Sequence, residues 1–320
     1  MPEELTLLKR KIKLGESVQL SLQVAHLHTR TMVEVPVIVE RAKVDGPVLL
    51  LVGGIHGDEV NGVEIVRQIV SKKINKPKKG TVICIPVLNI FGFLSKSRYL
   101  PDGKDLNRSF PGSKSGSLAS RFAYHLMKEI VPHIDYCLDF HTGGAERFNA
   151  PQIRVTRDNE ELMELAKVFA TDFILFAPNR EKSLRESAVQ LGKKMLLFEG
   201  GKSLNINEQV TQKAINGTMR IMQTLGMRDF KRQLKDAPTS NTVVIKSSSW
   251  KRSNYSGMFR SYIHSGDKVE KGQKLGSISD PYGAFEHVVK APNSGYVIGV
   301  NHAAIVHQGD ALFHISNDKE

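Results

Sequence analysis

The stretch that most restricts the fold is Val48-Leu49-Leu50-Leu51-Val52, an unbroken apolar run closed by Gly53-Gly54. A strand with one wet face alternates apolar and polar residues, whereas one that is apolar at every position is buried on both faces. The run therefore predicts a sheet covered by helices on both sides. The flanking sequence agrees. Val60, Val63, Val66, Ile69 and Val70 recur at helical spacing after Asp58, which is placed to cap a helix. Strands are expected at Thr81–Val87 and Tyr136–Phe140, near Gln152–Val155, at Phe173–Phe176 and at Met195–Phe198. Helices are expected near 117–131, 159–169, 183–192 and 206–225. Upstream, Val18 to Val24 alternates with period two and Val33 to Val39 is rich in β-branched residues, so the two predict antiparallel strands at a sheet edge, where Pro36 is tolerated. About 90–117 reads as a long polar loop. The expected class is α/β: a mixed, largely parallel sheet with helices on both faces.

Beyond Lys235-Asp236-Ala237-Pro238-Thr239-Ser240-Asn241, which reads as a linker, the pattern changes to short β stretches and glycines. The expected division is a catalytic domain over 1–237 and a small all-β barrel or sandwich domain over 238–320. The second part carries a weak repeat: Ser256-Gly257-Met258-Phe259 matches Ser294-Gly295-Tyr296-Val297, and Gly272-Gln273-Lys274-Leu275 matches Gly309-Asp310-Ala311-Leu312. In pattern it resembles the biotinyl/lipoyl-type fold. The hairpin between its halves, Asp280-Pro281-Tyr282-Gly283, has no lysine to modify, which argues against a carrier role.

No apolar run approaches the ~20 residues that span a bilayer, and the first 20 residues lack the apolar centre of a signal peptide. Cys84 and Cys137 lie in apolar stretches and read as free thiols in a reducing compartment, so a cytoplasmic protein is expected. The net charge is +12, and residues 239–320 hold 9 Lys and Arg against 7 Asp and Glu, so the excess lies in the larger part. The densest cluster, Lys72 to Lys79, has no interleaved aromatics and reads as a solvated helix end. No nucleic-acid or membrane partner is expected; an anionic small substrate suits the charge.

Four places carry residues fit for chemistry. His56-Gly57-Asp58-Glu59 stands in the loop after the buried strand, where open α/β sheets place their ligands. His141, in Asp139-Phe140-His141-Thr142-Gly143, occupies the carboxyl end of another strand. Two imidazoles and a carboxylate form a set that holds zinc with a position left open for water. Glu199, in Phe198-Glu199-Gly200-Gly201, ends an apolar strand and is suited to general acid–base work. Arg98-Tyr99 and Asp105-Leu106-Asn107-Arg108 lie in the long loop, and arginine offers a planar fork for carboxylates.

Taken in order, G-G-x-H-G-x-E, R-Y…D-L-N-R-x-F, D-x-H-T-G and E-G-G resemble the succinylglutamate desuccinylase/aspartoacylase family, related to zinc carboxypeptidases, over about residues 45–205. The resemblance implies a zinc-carboxypeptidase-like fold and one zinc ion on His56, Glu59 and His141. It implies Glu199 as general acid/base, Arg98 polarising the scissile carbonyl, and Asn107 with Arg108 binding a substrate carboxylate. Relatives often carry a further arginine shortly before the base, and Ser187 to Lys194 has none. The function implied is zinc-dependent deacylation of an N-acyl amino acid or similar small molecule, by a chain that could form homo-oligomers. A carboxypeptidase acting on peptide C-termini would use the same residues, and a non-catalytic zinc-binding or interaction protein would keep the fold.

Overall fold

Leu49 and Leu51 enter one hydrophobic core and Leu50 and Val52 another, on opposite faces of the strand Val44–Gly53. This is the structure of a computed structural model that describes residues 4–157, 159–237 and 241–317. The first core is completed by Ile65, Val66 and Ile69 of the helix Val60–Ser71, by Leu165 and Phe169 of Glu160–Phe169, and by Ala214, Ile215 and Met222 of Glu208–Thr224. The second is completed by Phe122 and Leu126 of Leu118–Glu129 and by Leu184 and Ala188 of Leu184–Gln190. Leu49, Leu50, Leu51 and Val52 are all fully buried, and each such side chain contributes about 1.5–3 kcal/mol. The sheet is thus covered on both faces, as the apolar run requires.

The strands follow one another across the sheet in the order 248–252, 311–316, 295–301, 147–155, 194–202, 136–143, 44–53, 79–85, 32–41 and 17–26. The centre is parallel: Val44–Gly53 pairs in parallel with both Lys79–Ile85 and Tyr136–Gly143, and the last of these with Lys194–Lys202. The expected edge hairpin is present, with Ser17–His26 antiparallel to Met32–Arg41. Pro36 lies on the inner of the two, but its strand pairs with Lys79–Ile85 only over 38–41, so no ladder donor is needed at residue 36.

Three local expectations are corrected. Asp58 does not cap the first helix; Glu59 holds that position and makes no side-chain cap bond. The 90–117 stretch is not all loop: Ile90–Ser95 forms a helix capped by Asn89, and Leu106–Arg108 forms a 3-10 turn capped by Asp105. The strands of His141 and Glu199 run on to Gly143 and Lys202, so neither residue ends its strand. Cys84 and Cys137 are buried free thiols in opposite cores. No described helix is long and apolar enough to cross a membrane.

The strand Arg147–Val155 is where the sheet forks. Its residues 152–155 pair in parallel with Phe173–Phe176, and its residues 147–149 pair antiparallel with Gly295–Asn301. The β-rich tail is therefore hydrogen-bonded into the main sheet. Val243–Ile245 adds to the other branch, beside Phe173–Phe176. The proposed linker falls partly outside the described residues. The repeat halves occupy equivalent strands: Gly257–Ser261 pairs antiparallel with Lys274–Ser279, and Gly295–Asn301 with Ala311–Ser316. Each half also lends a short strand to the other, Lys268–Val269 to Gly295–Asn301 and Ile305–Val306 to Gly257–Ser261.

Candidate functional site

The parallel register sets Glu199 directly beside His141. His56 and Glu59 arrive from the next strand through the loop after Gly53. That loop is pressed against the helix Ile90–Ser95: a Cβ on Gly57 would sit 1.9 Å from the Gly92 carbonyl carbon, so glycine is required there. The close approach also brings the Arg98 and Asp105 loop over Glu59.

His56, Glu59 and His141 are buried, with ligand atoms all within 4.8 Å of one another. His56 Nδ1 lies 2.7 Å from Glu59 Oε1, and His141 Nδ1 lies 2.9 Å from Glu59 Oε2. His141 Nε2 faces Asp139 Oδ2 at 2.9 Å, which places a ring proton on Nε2 and turns Nδ1 toward Glu59. His56 Nε2 stands 3.2 Å from Asp105 Oδ1 without reaching hydrogen-bond geometry. Imidazole nitrogens aimed at a carboxylate need positive charge between them, supplied by a ring proton or by a metal ion. Burial acts to lower the His141 pKa, but the Asp139 and Glu59 carboxylates outweigh it and hold the group well above the usual range. Burial acts to raise the Glu59 pKa, and His56 and His141 bring it well below the usual carboxylate value. Two imidazole nitrogens and one carboxylate, with a further carboxylate orienting one ring, form a donor set that fits zinc.

The other expected residues line the same cavity, of about 1180 Å³. Glu199 Oε2 accepts from Asn149 Nδ2 at 2.7 Å and from Arg154 Nη2 at 2.8 Å. Arg98 donates to Glu59 Oε1 at 3.2 Å and holds Asp105 Oδ2 from Nε and Nη2 at 3.0 and 2.8 Å. Asn107 Oδ1 accepts from the Leu184 backbone N–H at 2.9 Å. Arg108 Nη1 donates to the Asn107 carbonyl at 2.5 Å, and no carboxylate among the described residues pairs with it. Asp102 and Asp105 are engaged elsewhere, by Ala119 N–H and by Arg98.

Several residues in or behind the cavity wall were not singled out from the sequence. Asp139 was within reach of it, because period two puts residue 139 on the His141 side of the strand. Asn149 and Arg154 had no local signal; they reach Glu199 only because Arg147–Val155 runs antiparallel to its strand. Arg185 lies just ahead of the stretch that lacks an arginine. It is buried, donates to the Arg154, Ala177 and Pro178 carbonyls, and has its pKa lowered to about 10, chiefly by burial and then by Arg154. The strand Ser248–Arg252 gives Ser248, Trp250 and Arg252 to the cavity, and His314 joins them.

Known proteins resemble this chain to different degrees. N-alpha-acetyl-L-2,4-diaminobutyric acid deacetylase of Halomonas elongata is 28% identical over 281 residues, covering 84% of this chain and 81% of that protein. A succinylglutamate desuccinylase/aspartoacylase from Rhodobacter sphaeroides superposes with a TM-score of 0.82 at 21% identity, over 96% of this chain and 98% of that one. The product-bound ectoine utilization protein EutE (DoeB) of Ruegeria pomeroyi gives 0.82 at 21% identity, over 95% and 97%. At such identities the superpositions establish a common fold. The sequence signature of the succinylglutamate desuccinylase/aspartoacylase catalytic domain matches residues 45–225, more than half of the chain and the whole of the segment that carries His56, Glu59, His141 and Glu199. The chain belongs to the succinylglutamate desuccinylase/aspartoacylase family.

Proposed function

We propose that this protein is a zinc-dependent hydrolase of linear amides that removes the acyl group from an N-acyl amino acid or a similar small anionic molecule. The observation that carries the reading is the convergence of His56, Glu59 and His141 in one cavity with Glu199 and a surplus of arginines. A zinc ion held by those three residues would supply Lewis acidity and lower the pKa of water. Glu199 takes and returns the proton. Asn149 and Arg154 hold its Oε2, and no partner among the described residues engages Oε1, which is left for the transfer. Arg98 stabilises charge on the carbonyl oxygen as it develops. Arg108, with no carboxylate of its own, and Asn107 through Nδ2 hold the substrate carboxylate and so fix the amide in place. The wall formed by Ser248, Trp250 and Arg252 favours a small substrate over a polypeptide. One zinc per chain and hydrolysis of members of an N-acyl amino acid panel are expected. Undiminished zinc in a folded His56→Ala/His141→Ala double variant would overturn the assignment.

A further inference from the structure

Register alignment carries the site well beyond the metal ligands. Gly201, Asn149, Gly299, His314 and Trp250 lie opposite one another on five successive strands. At ~4.8 Å per strand, Trp250 stands about 14 Å along the sheet from Asn149, which holds Glu199. Trp250 is the chain's one tryptophan. Its ring stacks on His314 with centroids 4.8 Å apart and planes 11° from parallel, and His314 Nε2 lies 2.8 Å from Ser248 Oγ. Burial, and then Arg154, lower the His314 pKa to about 3, so near neutral pH the imidazole is an uncharged ring supporting the indole. No second ring stacks on Trp250 among the described residues. Ser248–Arg252 is also the last strand on its side of the sheet, with no further strand beyond it among the described residues.

A supported indole in a cavity wall can bind an aromatic ring, an alkyl chain or a cation. The cation is disfavoured here, because Arg98, Arg108, Arg154, Arg180, Arg185 and Arg252 line the same space. The cavity, about 1180 Å³, also exceeds the 300–1,000 Å³ usual for small-molecule sites. We propose that Trp250, backed by His314, forms a distal subsite for a flat aromatic group, so that the substrate class is N-acyl amino acids carrying an aromatic ring on a spacer from the amide. This rests on the reading of the cavity as a substrate site.

The single tryptophan gives a readout independent of turnover. The zinc-loaded full chain would be titrated with N-(ω-phenylacyl)glycines of two to six methylenes and with their unbranched alkyl counterparts. Tryptophan emission and calorimetric affinity would both be followed. The phenyl series should change the emission and bind about three- to tenfold tighter than the alkyl series, the range of one aromatic stacking contact. Trp250→Leu should erase that preference and Trp250→Phe should retain part of it, which separates a lost stack from a damaged fold. Equal or absent binding of the two series, unchanged emission, or a preference that survives Trp250→Leu would overturn the subsite. Aryl-dependent binding without hydrolysis of any N-acyl compound would count against the hydrolase reading and leave the subsite standing. Hydrolysis of N-acetyl amino acids without aryl preference would do the reverse.

Discussion

The two ends of the cavity are built on opposite principles. At the end that carries the proposed metal ligands, His56, Glu59, His141 and Asp139 are buried, and each meets a charged or ionisable neighbour within 3 Å. They lie on or beside the two strands at the middle of the parallel sheet, packed from both faces. At the far end, Trp250 and Arg252 are more accessible, lie on an edge strand and rely on one stacking contact and one bond to a carbonyl. Groups that hold a cation or move a proton need fixed geometry and low dielectric, which only a packed centre provides. Groups that select a substrate need accessible surface, which an edge strand offers. Substitutions at the first end should therefore act on metal and turnover, and those at the second on affinity, with modest effects on the fold.

The largest expected effect is at Glu199. Glu199→Gln should keep the zinc and the fold and lose ~100- to 10,000-fold in kcat, the usual range for a general acid–base group. Loss of zinc from the folded variant would move Glu199 to the ligand side of the comparison. Next is Asp139, the carboxylate behind His141. Asp139→Asn should weaken zinc binding by ~10- to 100-fold, measured by competition with a chelator; an unchanged affinity would show that Asp139 does not orient its neighbour.

The far end should reveal itself in acid. His314 is neutral in the fold, with its pKa lowered to about 3 from an ordinary value of 6.5. The unfolded chain takes up that proton first, so stability falls as pH drops below about 6.5 and the loss is complete by about 3. At pH 5 this amounts to about 2 kcal/mol. His314→Phe keeps a ring under Trp250 and should remove that share of the acid sensitivity in denaturant melts at pH 7.5 and 5. Parallel pH dependence of the two proteins would mean that the imidazole charges freely in the fold.

The smallest effect tests whether the ends are joined. A Cβ on Gly299 would stand 2.6 Å from Asn149 Oδ1, so Gly299→Ala should push Asn149 away from Glu199. Turnover should fall by roughly tenfold, short of the ~100-fold per ångström that misplacement at a reacting centre can reach, with zinc content unchanged. Full activity would show that the β-rich tail and the proton-transfer group are mechanically independent.

Much of the first end was legible in the sequence. The run Val48–Val52 fixes a strand buried on both faces, and from there local periodicity locates the helices of both layers. The motif residues His56, Glu59, His141 and Glu199 sit on or just after apolar strands, so parallel stacking alone brings them together. Chain reversal in Arg147–Val155 was not legible, because an apolar stretch carries no mark of its direction or of which strand it will pair with. That reversal and the fork in the sheet bring Asn149 and Arg154 to Glu199 and weld Gly295–Asn301 to the catalytic sheet. Trp250 lies about 50 residues from any motif and enters the cavity through that pairing alone. Local pattern, set by which side chains avoid water, determined the elements and the candidate metal-ligand set; which strand lies beside which is a balance of long-range contacts and loop closure, and only the tertiary structure decided it.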